Sequence, residues 1–176
     1  MTQQERIELE ILSRAPRPGG AVARRWIGRA RNRWVGSAPL ACTRLGTPVS
    51  RRSQIATARF LATTAYGDAD SIEAERRTLR RGIQDLFGVT RRQAWMIVRA
   101  AENDLDRDAH GAAAQVRDAF DTNQRMRIMG LAWELAYADG LIPAFGRVLA
   151  DRIGAMAGLH PEQAVAARSF ANPPWI

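Results

Sequence analysis

From about residue 55 onward, apolar residues recur at spacings of three and four, the period of a helix with one buried face. The first of these stripes consists of Ile55, Ala58, Leu61, Ala62 and Ala65. It ends at Tyr66-Gly67, where the glycine interrupts the pattern. No convincing alternation of apolar and polar residues, the pattern of a half-buried strand, occurs in the chain. The hydrophobic pattern therefore predicts an all-α fold.

The second and third helices are predicted from their start and stop signals. A second apolar stripe begins at Ile72 and is closed by Gly88, a residue typical of helix ends. Thr90 and Gln93 then have the three-residue spacing of a capping box, which predicts the start of a third helix. Trp95 in this helix is expected to pack in the core or at its edge, because large aromatic side chains are mostly buried.

The C-terminal half is predicted to hold four more helices. The first covers residues 112–120, and the second begins at Asp121 with Gln124 as its capping partner and ends at Asp139-Gly140. The third begins near Pro143 and ends at Gly158, and the last begins at His160-Pro161. Trp133, in the second of these helices, is expected to pack like Trp95. The sequence pattern thus predicts a compact bundle of about six to seven helices.

An internal repeat is predicted within this bundle. Residues 65–68 (Ala-Tyr-Gly-Asp) align with residues 136–139 (Ala-Tyr-Ala-Asp) at an offset of 71. After a slip of one residue, the offset becomes 70 and aligns further pairs: Leu79 with Leu149, Ile83 with Ile153, Gly88 with Gly158, and Gln93-Ala94 with Gln163-Ala164. A duplicated helical unit buries its apolar face against its copy, so we expect a pseudo-twofold bundle.

The N-terminal third of the chain differs from the rest in its net charge. The 176 residues carry a net charge of +8, and residues 1–52 contain eleven arginines against three glutamates, which already accounts for +8. Residues 53–176 contain fifteen arginines and fifteen acidic residues, and their net charge is zero. The sequence therefore predicts a basic N-terminal arm at 1–52, a helical domain at 53–172 and a short tail at 173–176.

Composition also excludes several functional classes. All 26 basic residues are arginine, and the missing lysine excludes a Walker phosphate loop and a Schiff-base enzyme. Cys42 is the single cysteine, which excludes an intrachain disulfide and a cysteine-based zinc site. No catalytic motif of the common hydrolase, metalloprotease or nucleotide-binding classes occurs, so enzyme activity is not expected and no small-molecule substrate is identified. No apolar run approaches 18 residues, so no membrane span is predicted.

The arm contains a predicted amphipathic helix over residues 21–35, bracketed by Gly19-Gly20 and by residues 36–39. Both of its tryptophans lie on an apolar arc of about 140°. Most of its arginines occupy the remaining surface, with Arg33 at the edge of the arc. The residues of this helix that are candidates for partner or membrane binding are Arg24, Arg25, Trp26, Ile27, Arg29, Arg31, Arg33 and Trp34.

Four surfaces could accept this helix. An anionic membrane would hold the tryptophan rings at headgroup level and attract the arginines. A groove on a protein assembly would bury the same apolar face. Nucleic acid would attract the arginines, although tryptophans on the opposite face disfavour base stacking. The helix could also pack on the chain's own bundle. The expected location is cytoplasmic, with peripheral attachment to a membrane as one possibility.

The predicted helical domain at 53–172, which we call the body, resembles a known family. The stretch Leu131-Ala-Trp-Glu-Leu-Ala-Tyr-Ala-Asp-Gly140, followed by a helix and residues 158–162, looks like the second half-repeat of TerB-like proteins, the tellurite-resistance family. Residues 60–75, 87–89 and 120–127 are similar to its first half and middle. This resemblance covers roughly residues 55–170. It implies a compact, non-enzymatic helical domain that is linked to metal or oxyanion stress, often near membranes, and that has a divalent-cation site made by acidic turns.

The family's motif is an Ala-Asp-Gly turn with a glutamate about seven residues later, and both copies depart from it here. The first copy has Gly67-Asp68-Ala69, although Glu75 keeps the glutamate position. The second keeps Ala138-Asp139-Gly140, but Gly146 replaces the glutamate. The candidate ligands for Ca²⁺ or Mg²⁺ are therefore Asp68, Asp70, Glu75 and Asp139, which would converge if the two turns face each other. The alternative is that the turn aspartates cap helices.

Overall fold

The structure is a computed structural model that describes residues 38–65, 72–103, 109–138 and 152–170. Within these ranges the chain is helical and forms no strand, and one isolated antiparallel bridge joins Cys42 to Pro48. The all-α prediction is confirmed. The helices are α1 (Arg51–Ala65), α2 (Ile72–Phe87), α3 (Arg91–Glu102), α4 (Ala109–Ala119), α5 (Thr122–Ala138), α6 (helical residues 152–156) and α7 (Pro161–Ala166), followed by a 3-10 turn (Ala167–Phe170).

Helix α1 lies at the centre of the described part of the bundle. It packs against α2, α3, α4 and α5, and α2 in turn packs against α3 and α5. Phe60, Leu61 and Ala62 of α1 have no exposed surface. They belong to one continuous apolar cluster that also draws on α2 to α7. Burial of this cluster provides the main favourable term for folding the bundle.

The short connections that position the helices follow the signals in the sequence. Gly88 adopts φ 63°, a left-handed conformation that glycine tolerates best, and it separates α2 from α3. Thr90 then forms a complete capping box with Gln93, whose side-chain oxygen accepts a bond from the Thr90 backbone N–H at 2.9 Å. Asp121 and Gln124 form the equivalent pair of bonds at the start of α5, each at 2.9 Å. These predicted helix starts are confirmed.

The same features recur in the second half of the chain at the expected offset. Gly158 has φ 68°, close to the 63° of Gly88. His160 precedes α7, and its backbone N–H donates to the side-chain oxygen of Gln163 at 3.0 Å, as that of Thr90 does to Gln93. Two aligned pairs also share their burial: Ile83 with Ile153, and Ala94 with Ala164. The described residues thus repeat the same local structure in both halves.

Residues that precede the predicted helical domain also contact it. Leu40 is 5% exposed, and its backbone N–H donates to the carbonyl of Leu86 at 2.7 Å. The N–H of Arg44 donates to the carbonyl of Ala119 at 2.9 Å. Helix α1 starts at Arg51 rather than at the first apolar residue, Ile55, because Ser50 caps it by accepting from the Ser53 N–H at 3.1 Å. Contacts with the body therefore begin N-terminal to residue 53.

The structure changes one predicted helix start and leaves other predicted segments undescribed. Helix α4 begins at Ala109, three residues before its predicted start at 112. The predicted amphipathic helix at 21–35 lies outside the described residues, as do the tail at 173–176 and the region around Pro143. In the part of the chain that the structure describes, no helix has the length and apolarity needed to cross a membrane.

Gly88 provides a test of the turn that joins α2 to α3. An added Cβ would lie 2.8 Å from Cγ of Pro39, whereas at Gly46, which has φ 75°, it would meet nothing within 4 Å. We expect Gly46→Ala to lower the free energy of unfolding by about 1–2 kcal/mol through backbone strain alone. We expect Gly88→Ala to cost about 1–3 kcal/mol more because of the added contact. Urea denaturation measures both changes.

The double variant Gly88→Ala/Pro39→Ala separates the two causes. It should recover part of the difference between the two glycine variants, since it removes the Cγ of residue 39 but keeps its Cβ, which lies 3.0 Å from the new methyl group. Equal losses for Gly88→Ala and Gly46→Ala would show that the proline contact is unimportant.

Candidate functional site

The first turn of α2 holds two glutamates with opposite environments. The side chain of Glu73 is 60% exposed, whereas Glu75 has no exposed surface and is, with Thr57, one of two polar residues in the described core. Both carboxylates stand near the N-terminus of the helix, where the helix dipole favours negative charge. Glu75 is also engaged in a polar interaction. A carboxylate that is buried so completely requires such an interaction, because losing water disfavours its charge strongly.

Charged atoms are also buried on the helices that pack against α2. Arg59 on α1 and Arg127 on α5 both have guanidinium nitrogen atoms without solvent contact. Burial lowers the pKa of Arg127 from its usual value, because the low-dielectric interior disfavours the charged form. Helices α1, α2 and α5 pack against one another. The described body therefore contains buried ionic groups on three mutually packed helices.

The predicted cation site is only partly described. Glu75 lies in the first turn of α2, while Asp68, Asp70 and Asp139 lie in segments that the structure does not describe. Carboxylate oxygens are the ligands that Ca²⁺ and Mg²⁺ prefer, so the four residues suit these ions chemically. Among the described residues, no group of three or more histidine, cysteine, aspartate or glutamate side chains is arranged to hold a metal. The cation site stays a prediction.

The structure does not describe any of the predicted binding residues of the arm. Arg24, Arg25, Trp26, Ile27, Arg29, Arg31, Arg33 and Trp34 all precede residue 38, where the description begins. Their role in partner or membrane binding likewise stays a prediction.

A second candidate site lies between α2 and α3, and sequence analysis did not predict it. It is a polar depression of about 310 Å³ that we call the α2–α3 pocket. The residues that line it are Arg76, Arg80, Trp95, Arg99, Glu102 and Asn103. The Nε of Arg76 donates to Oε1 of Glu102 at 2.6 Å, which joins the two helices across the pocket. The described lining offers hydrogen-bond donors and an aromatic side chain, which are groups that can bind a polar ligand.

Trp95 stands on the exposed side of α3. The prediction that it packs in or near the core is wrong, since it is 43% exposed, whereas Trp133 is 3% exposed as predicted. The buried face of α3 is occupied by Ala94, Ile97, Val98 and Ala101. Trp95 therefore points outward, where the guanidinium carbon of Arg99 lies 5.2 Å from its ring centroid. This is within the range of a cation–π contact.

Part of the pocket could have been recognised in the sequence. Arg76 and Arg80 are four residues apart, as are Trp95 and Arg99, and this spacing places each pair on one face of a helix. The pairing of the two faces depends on how α2 and α3 pack against each other. No local spacing contains that information.

The comparisons with known proteins agree with the helical architecture. A protein-family model described as tellurite resistance protein TerB matches residues 54–169, which is more than half of the chain. No curated protein and no solved structure gives a significant match. The match includes α1 to α7 apart from the first residues of α1, and it confirms the resemblance seen in the sequence. The chain therefore belongs to the family of the tellurite resistance protein TerB.

Proposed function

We propose that this chain is a non-enzymatic interaction module that docks through its basic N-terminal arm onto an anionic membrane surface. The observation that carries the proposal is the division of charge, because the whole excess of +8 lies in residues 1–52 and none lies in residues 53–176. A surface of one sign attracts a partner of the opposite sign. The neutral body then acts as the scaffold that the arm attaches. The TerB family is generally non-catalytic, which agrees with this role.

The described end of the arm supports the proposal. Arg44, Arg51 and Arg52 are all exposed, and Leu45 beside Arg44 is 78% exposed. An apolar side chain flanked by arginine suits an anionic lipid surface, since each basic residue gains about 1 kcal/mol near such a surface. The hydrogen bonds of Leu40 and Arg44 to the body tie this end of the arm to the bundle. Attachment of the arm would therefore also attach the body.

Other partners would use the same arm or the acidic turns. A larger protein assembly is the main alternative for the arm, since a groove would accept the predicted tryptophan face. Nucleic acid is a weaker one, because the predicted helix places its tryptophans opposite most of its arginines, which disfavours stacking on bases. A divalent-cation-binding stress protein is the alternative that uses Asp68, Asp70, Glu75 and Asp139. We infer a cytoplasmic protein that binds the membrane peripherally.

Sedimentation with lipid vesicles tests the proposal. The wild-type chain should sediment with vesicles that contain phosphatidylglycerol and not with neutral phosphatidylcholine vesicles. The variant Trp26→Ala/Trp34→Ala should bind at least about ten-fold more weakly, because two aromatic side chains are removed from the predicted membrane face. Trp175→Ala is the matched control, since it removes a tryptophan outside the arm.

The other outcomes identify the alternatives. Binding that the arm variant leaves unchanged would exclude the amphipathic face as the membrane contact. Tight binding to duplex DNA that falls steeply with salt, without vesicle binding, would favour the nucleic-acid alternative.

A further inference from the structure

Three positively charged side chains line the α2–α3 pocket. Arg76, Arg80 and Arg99 all line it, and each carries a guanidinium group with several N–H donors. Among the described residues of the lining, Glu102 is the one acidic residue. Glu73 lies beside the pocket and contacts two of the arginines. Even with both glutamates counted, the group keeps one positive charge.

Each of the three arginines has a side-chain contact before any ligand binds. Arg76 donates from Nη1 to Oε2 of Glu73 at 3.3 Å in addition to its 2.6 Å bond to Glu102. Nη1 of Arg80 lies 3.8 Å from Oε1 of the same Glu73. The guanidinium group of Arg99 rests on the ring of Trp95. Side chains that are already oriented lose less conformational entropy on binding, which favours affinity.

The two helices that form the pocket contain more arginines than acidic residues. Residues 72–103 contain seven arginines and four acidic residues, a net charge of +3 within a domain that is neutral as a whole. Arg91 and Arg92 are exposed on α3 in the turn that precedes Trp95. The count ends before the aspartates at 104, 106 and 108, which lie outside the described residues. A positive region on a neutral domain points to an anionic ligand.

We propose that the α2–α3 pocket binds the phosphate group of a phosphomonoester. Guanidinium groups bind phosphate oxygens through paired N–H donors, and a tetrahedral oxyanion accepts donors from several directions at once. The volume of about 310 Å³ lies at the lower end of the range for small-molecule sites, about 300–1,000 Å³, so it has room for the group and a short organic part. The described lining residues all lie outside the arm.

Titration with inorganic phosphate, followed by NMR, tests the proposal in the full-length chain. The readout is the indole N–H signal of Trp95, identified by its loss in Trp95→Phe. Ionic strength is held constant by replacing sodium chloride with sodium phosphate. The wild-type signal should shift and saturate. Arg99→Gln and Arg80→Gln should each raise the dissociation constant by about ten-fold or more, because each removes a charged hydrogen-bond donor.

Arg92→Gln is the matched control, since it removes one exposed arginine from α3 without touching the pocket lining. It should change the dissociation constant by less than about two-fold. An equal loss of affinity in Arg92→Gln and Arg99→Gln would overturn the proposal, because it would show general charge attraction. A wild-type signal that does not saturate would also overturn it.

The phosphate group could belong to a soluble molecule or to a lipid, and a second pair of probes distinguishes the two. With a soluble ligand, glycerol 3-phosphate competes for the pocket and Arg99→Gln leaves sedimentation with phosphatidic acid vesicles unchanged. With a lipid ligand, Arg99→Gln weakens that sedimentation by about ten-fold or more. Trp26→Ala/Trp34→Ala should leave phosphate binding intact in both cases, so failure of the arm proposal is distinguishable from failure of this one.

Discussion

Replacing Glu75 with alanine should lower the free energy of unfolding by about 3–5 kcal/mol. The Glu75 side chain has no exposed surface and is engaged in a polar interaction inside the bundle. Its removal leaves that interaction unmade in a low-dielectric interior and opens a cavity at the start of α2. Urea denaturation of the full-length chain measures the loss as a lower midpoint at an unchanged slope.

Glu73→Ala is the control for this experiment because it removes a carboxylate from the same helical turn. The side chain of Glu73 is 60% exposed, and its ion pairs with Arg76 and Arg80 are at the surface. Such pairs contribute about 0–1 kcal/mol, so the loss should not exceed that value. A loss below 1 kcal/mol for Glu75→Ala as well would show that its burial contributes little.

The same variant tests the cation alternative. If Glu75 is a ligand, millimolar Ca²⁺ should raise the melting temperature of the wild-type chain by mass action and should raise that of Glu75→Ala less. An equal shift, or none, in the two chains would remove Glu75 from the predicted ligand set.

Trp133→Ala should lower the free energy of unfolding by about 3–5 kcal/mol, the usual cost of removing a buried aromatic side chain. Trp133 is 3% exposed, and its Nε1–H donates to the carbonyl of Ala164 at 3.1 Å, which joins α5 to α7. Trp133→Phe keeps much of the ring but leaves that buried carbonyl without this donor. It should cost about 1–3 kcal/mol. Denaturant midpoints and thermal melts measure both changes.

Trp95→Phe provides the comparison within the same fold. Trp95 is 43% exposed and its ring contacts Arg99 at the surface, so the change should stay within about 0.5 kcal/mol. If Trp133→Phe proved equally mild, the hydrogen bond to Ala164 would not hold α7 against α5.

Signals confined to a few neighbouring residues predicted the helix ends well. The capping pairs Thr90–Gln93 and Asp121–Gln124 form as their spacing indicates, and Gly88 adopts the left-handed conformation typical of a helix end. A capping bond joins residues three apart, so its formation depends mainly on local geometry. The predictions were less accurate where a polar residue extends a helix beyond its apolar stripe. Ser50 caps α1 and extends it N-terminal to Ile55, and the apolar stripe that begins at Ile55 did not predict this extension.

The environments of single side chains were harder to predict, because they depend on which helix lies opposite. Trp95 and Trp133 both lie in helices with clear apolar stripes, yet Trp133 is buried and Trp95 is exposed beside Arg99. Glu73 and Glu75 are two residues apart in one helical turn, yet only Glu75 is buried. Residue type does not distinguish the two glutamates. The packing of α2 against α1 and α5 decides which of them is buried.

The sequence by itself determined the all-α class, the family to which the domain belongs, most of the helix ends, the repeat of the glycine stop and capped start, and the concentration of positive charge in residues 1–52. These properties depend on periodicity, composition and short-range hydrogen bonds, all of which can be recognised along the chain. Only the tertiary structure decided that Glu75 is buried and that Arg76 and Arg80 of α2 face Trp95 and Arg99 of α3 around one pocket. The physical reason is that burial and helix pairing depend on contacts between segments that are far apart in the sequence. Which segments pair is decided by the apolar surface that the whole bundle buries.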